Sequence, residues 1–88
     1  MIMKVYILME CDREKNEERC IDVFRKFDSA ESSASFFANE KVKGYSQTRV
    51  VEKYKDGYYI VRYYEEGQEK KGEVISIYYV LEKLLIND

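Results

Sequence analysis

Histidine is absent from this 88-residue chain. That removes the commonest general base, the commonest zinc ligand and the usual partner of a serine or cysteine nucleophile. Carboxylates, lysine and tyrosine are what remain for acid–base work. Glu65, Glu66 and Glu69, close to Tyr63 and Tyr64, come nearest to a paired-carboxylate arrangement. They flank a polar turn, where adjacent acids are ordinarily just solvated. Cys11 and Cys20 are too few and too far apart to build a tetrahedral metal site. Asp12, Glu14, Glu17 and Glu18 lack the spacing of a calcium loop, and the glycines at 44, 57, 67 and 72 compose no phosphate-binding loop. The chain therefore reads as non-enzymatic, with no cofactor and no metal.

Aromatic and basic side chains offer a different chemistry, that of surface recognition. Eight of the nine tyrosines lie between Tyr45 and Tyr79, most densely in residues 55–64, Lys-Asp-Gly-Tyr-Tyr-Ile-Val-Arg-Tyr-Tyr. Asp56-Gly57 ahead of such a run is a strong hairpin signal. Alternation along the second strand puts Tyr58, Ile60, Arg62 and Tyr64 on one face and Tyr59, Val61 and Tyr63 on the other. With Val50 and Tyr54 added, the second set is the more apolar and should pack on a helix. The expected contact surface is then Tyr58, Arg62 and Tyr64, with Arg49 and Lys53 at its rim. Tyrosine and arginine are enriched at protein-binding hot spots. Aromatics interleaved with basic residues on a sheet also grip single-stranded nucleic acid or a nucleotide. A third reading is purely structural, cross-strand tyrosines stabilising a small sheet.

The elements that must position these residues follow from periodicity. Lys4–Cys11 reads as a central strand, Asp12–Arg19 as a charged connection and Cys20–Phe27 as an antiparallel return. Asp28 or Ser29 caps a helix, with Glu31 at capping-box distance, and Ala30, Ser33, Ala34, Phe36 and Phe37 fall on its inner side. That helix should stop before Gly44. Thr48–Lys55, Tyr58–Glu66 and Glu73–Val80 complete a meander, with a polar loop over 67–72. Residues 81–86 (LEKLLI) suit a short terminal helical turn, and 74–85 fit either a strand or a single helix. The expectation is one α+β domain over residues 1–88, a five-stranded antiparallel sheet in ββαβββ order with one helix on one face.

Totals narrow the setting. Hydrophobic residues make up 45% of the chain and the net charge is −2, enough apolar content to fold and too little basic excess for generic nucleic-acid binding. Residues 41–71, with eight basic and five acidic side chains, leave a local basic patch open. No apolar stretch approaches the ~20 residues that span a bilayer. The N-terminus reads as a strand rather than a signal peptide, which points to a cytoplasmic setting. There the cysteines would be reduced, although a Cys11–Cys20 bridge stays open. A domain this small holds only ~5–10 kcal/mol of net stability, so a homodimer burying the aromatic ribbon would help it.

The segments Lys4-Val-Tyr-Ile-Leu, Ile21-Asp-Val-Phe and Phe27 to Phe37 resemble a loose pattern among small bacterial and phage proteins, covering residues 4–37. No activity accompanies that pattern. In size, acidity and missing catalytic groups the chain is similar to compact inhibitors from phages and mobile elements, anti-CRISPR proteins among them. The analogy implies a binding protein that blocks a host defence complex.

Overall fold

The computed structural model describes residues 2–45, 48–65 and 72–86. In chain order they form β1 (Ile2–Asp12), β2 (Glu17–Phe24), α1 (Phe27–Val42), β3 (Arg49–Lys55), β4 (Tyr58–Tyr63) and β5 (Glu73–Ile86). The strands make one antiparallel sheet in the order β2-β1-β5-β4-β3, and α1 lies across one face. The fold is α+β with the ββαβββ order that periodicity predicts. The loop expected over 67–72 falls outside the described residues except for Gly72, as do Glu66 and Glu69.

β1 and β5 are the central pair, each hydrogen-bonded to a strand on either side, and both carry apolar groups on their two faces. Toward α1 they present Leu8, Tyr78 and Val80, which join Tyr59 and Val61 of β4 and Ile75 of β5 in the core. The helix meets this layer with Ala30, Ala34 and Ala38, all buried at four-residue spacing. A stripe of methyl groups lets the helix axis sit close to the sheet. Its serines and weak amphipathicity then matter less than the fit. Phe37 flanks the stripe and stacks on Tyr78, with ring centroids 6.3 Å apart. Phe36, expected inside, is 59% exposed. Alanines 30, 34 and 38 define the buried line, and Phe36 lies about 100° of helical rotation from its neighbour Phe37.

Two further expectations change. The capping box does not form: Lys26 is the N-cap residue, in extended conformation and with no side-chain cap bond. Glu31 instead reaches the β3–β4 turn, accepting hydrogen bonds from the Gly57 N–H and the Tyr59 hydroxyl. Residues 81–86 are not a helical turn but continue β5, pairing with β1 as far as Ile86 opposite Ile2. Fourteen residues of strand result where helix and strand periodicity compete. A ready antiparallel partner decides the contest. Cys11 and Cys20 are free thiols, in keeping with the reduced pair expected, and the bridge left open does not form. Cys11 stands opposite Glu18 and Cys20 opposite Met9, so the sulfurs sit on a diagonal rather than face to face.

Among the described residues, no helix is long and apolar enough to cross a membrane.

Candidate functional site

The sheet face turned away from α1 has no covering layer among the described residues. Strand register builds it in rows. Cys20, Met9, Tyr79, Tyr58 and Lys55 lie side by side across all five strands, and Glu18, Cys11, Ile77, Ile60 and Glu52 form the next row. Apolar and aromatic groups fill the middle of both rows, and Glu18, Glu52 and Lys55 put charge at the outer strands, where Cys20 is the uncharged fourth end.

Tyr58 enters this face because Gly57 turns the chain. Gly57 has φ +77°, and a Cβ there would stand 3.0 Å from the Phe27 ring. The position therefore demands glycine on two grounds, backbone conformation and space. Tyr58 packs on Tyr79 across the β4–β5 pair, with ring centroids 6.0 Å apart, and against Tyr54 at 5.4 Å. Tyr54 is the extra residue of a β-bulge between Lys53 and Lys55, which throws its ring outward to 67% exposure. The Tyr79 hydroxyl donates to Glu18 of β2. Partial burial and that carboxylate push the Tyr79 phenol up to about 12. Three phenols thus stand in edge and tilted contact, anchored at one end and open at the other.

The same bulge corrects the sequence-derived surface. A two-residue turn without a bulge would pair Tyr54 with Tyr59, the parity that the alternation argument assumes. With Tyr54 bulged, Lys53 pairs with Tyr59, Val51 with Val61 and Arg49 with Tyr63. A one-residue shift inverts every side chain of the strand. Arg49 and Lys53 consequently stand on the α1 side, away from Tyr58. Lys53 bridges Asp56 at 2.9 Å and Glu31 at 3.6 Å. Arg49 donates to the Lys41 carbonyl at 3.3 Å and lies 4.1 Å over the Tyr45 ring. Arg62 shares the open face with Tyr58 but is only 8% exposed, its guanidinium donating to Glu52 at 2.9 Å and to the Gly72 carbonyl at 3.0 Å. Tyr64 lies just beyond β4, half-buried, its N–H held by the Thr48 carbonyl. Of the five expected contact residues, Tyr58 alone is central to the open face. Tyr54 and Tyr79 are the members that alternation misses, because neither a bulge nor the β4–β5 register is written in spacing.

Beneath α1 lies a buried polar cluster that sequence reasoning also misses. Glu10 and Asp12 alternate with Leu8 on the helix side of β1, and both are buried. Burial alone would raise the Glu10 carboxyl. The Tyr78 hydroxyl and the Arg19 guanidinium, at 2.6 Å, outweigh it and hold Glu10 below its ordinary value. Asp12 is lowered likewise against burial. The N–H groups of Lys15 and Glu14, with Lys41 at 3.6 Å, supply the stabilisation. Every charge in the cluster has a partner, so it ties the β1–β2 turn to the end of α1. A hollow of about 440 Å³ opens near that turn, lined by Arg13, Glu14, Arg49, Tyr63 and Glu73. Its wall carries two arginines and two glutamates, and neither Glu10 nor Asp12 contributes to it.

The sequence matches no protein-family model, and comparisons with curated proteins and with solved structures return no match.

Proposed function

We propose that this chain is a non-catalytic docking module that binds another protein through the open sheet face centred on Tyr54, Tyr58 and Tyr79. The observation that carries this reading is the apolar and aromatic centre of a sheet face that no described element covers, while α1 packs on the opposite face. Large side chains arrayed on a rigid sheet lose little conformational freedom on binding, and an aromatic centre with a charged rim is the anatomy of protein interfaces. Glu18, Glu52 and Lys55 supply that rim. A protein is favoured over nucleic acid because Arg49 and Lys53, the basic residues a phosphate backbone needs beside the tyrosines, are turned to the helix side. Inhibition of a host defence complex is one concrete form of such docking.

The test is affinity capture from native lysate with the wild-type chain and with a Tyr54→Ala/Tyr58→Ala variant of matched melting temperature. The reading expects a stoichiometric protein partner that the variant loses by a factor of ten or more, since central aromatic hot spots are worth ~2 kcal/mol or more each. Equal recovery by both proteins, or a partner that is single-stranded nucleic acid and dissociates steeply with salt, counts against it.

A further inference from the structure

β1 and β5 outrun the strands beside them. β4 pairs with β5 only as far as Tyr58 opposite Tyr79, and the last bond across that edge is the Val80 N–H to the Gly57 carbonyl, at 2.8 Å. β2 leaves β1 at Tyr6 opposite Phe24. Residues 2–5 and 82–86 therefore form a two-stranded ribbon with no further strand on either side among the described residues. It helps to draw the molecule out to 57 Å along its length, against 24 and 20 Å across.

The ribbon's free edge has a defined polarity. The Val80 N–H points toward the β4 side, and antiparallel alternation turns the N–H and C=O of Glu82, Leu84 and Ile86 the same way. These groups have no strand partner among the described residues. The side chains around them are equally unlike a solvated edge. Ile2, Leu81, Leu84, Leu85 and Ile86 are 44–75% exposed. The charges of Lys4 and Glu82 are spent on each other at 3.2 Å, which leaves Lys83 as the only other charged side chain of the ribbon. Natural edge strands are ordinarily short, charged or covered, and this one is long and apolar.

We infer that the free edge of β5 is the seat of a homodimer. A second copy docks its own residues 82–86 antiparallel, about a two-fold axis normal to the sheet. The segment suits itself. Centred on Leu84, the pairing sets Leu84 against Leu84 and Glu82 against Ile86, each pair exchanging two N–H···O bonds. In that register the Lys83 stem covers Leu85 of the second copy. A register centred on Lys83 would instead oppose two ammonium groups, which is destabilising. Leu84, Leu85 and Ile86 of the paired segment are 44–75% exposed and present on the order of 300 Å² of apolar surface per chain. With the paired backbone added, the contact stands at the small end of specific interfaces, which bury ~600–1,000 Å² per partner. This dimer makes one sheet of ten strands (five from each copy) and does not use the Tyr54, Tyr58 and Tyr79 row, so it stands or falls separately from the docking face.

Sedimentation equilibrium over a micromolar concentration series tests it, on the wild type, Leu84→Pro, Leu84→Asp and Tyr58→Ala. Proline at 84 removes an edge donor while leaving the β1 side of the strand intact. Aspartate removes the central apolar contact and sets two carboxylates together. The expected result is a wild-type dimer, a Tyr58→Ala dimer and at least tenfold weaker association for both Leu84 variants. A monomeric wild type, an open-ended assembly, or a dimer indifferent to Leu84→Asp overturns the inference.

Discussion

Glu31 illustrates how a residue whose spacing suits one task is taken by another. Its carboxylate leaves the helix N-terminus and binds the Gly57 N–H, the Tyr59 hydroxyl and, at 3.6 Å, the Lys53 ammonium. It thereby pins the β3–β4 turn to α1 and fixes the approach of Tyr58 to the open face. Truncation by Glu31→Ala leaves a half-buried N–H and a buried phenol without their acceptor, at an expected cost of about 1–3 kcal/mol in chemical denaturation. Glu10 gives a pH signature with a definite sign. Its folded-state carboxyl lies below the ordinary 4.5, held there by Tyr78 and Arg19 against burial. The stabilisation is fully present above that value and is lost as pH falls through the depressed one. The melting temperature should therefore decline on acidification below about pH 4.5, and Glu10→Gln should flatten part of that decline. A wild-type profile that stays level through this range contradicts the assignment.

Among the elements, helix α1 is held by the closeness its alanine stripe permits. Ala34 is fully buried against the sheet, so Ala34→Leu has no room and should cost about 1–3 kcal/mol through displaced packing. A neutral outcome in denaturant titration would mean that the helix floats rather than fits. Strand and helix identities were legible because hydrophobic alternation, the Asp56-Gly57 turn and the stop before Gly44 are local signals. Facing was legible only where no bulge intervened. The Tyr54 bulge inverts β3, and the irregularity between Val61 and Arg62 draws the Arg62 guanidinium under Glu52 and Gly72. Residues 81–86 show the other limit: LEKLLI satisfies both periods, and only the unpaired length of β1 makes it strand. Local sequence specifies the elements, and tertiary partners specify which way they face.

At the scale of the whole molecule, one helix packs on one side of a five-stranded sheet, the other side has no covering layer among the described residues, and the central ribbon runs beyond the sheet's edge. These two features have separate roles in the account, a docking face for a different protein and an edge for a second copy. The buried Glu10 and Asp12 cluster, each carboxylate paired, ties the β1–β2 turn to the end of α1. The most direct test of the docking face is hydroxyl-radical footprinting of the chain alone and with its captured partner. Phe36 serves as the internal reference, an exposed aromatic on the helix side. Strong protection of Tyr54 and Tyr58 on complex formation, with Phe36 unchanged, is the expected result. Protection of Phe36 while Tyr54 and Tyr58 remain as reactive as in the free chain would contradict it.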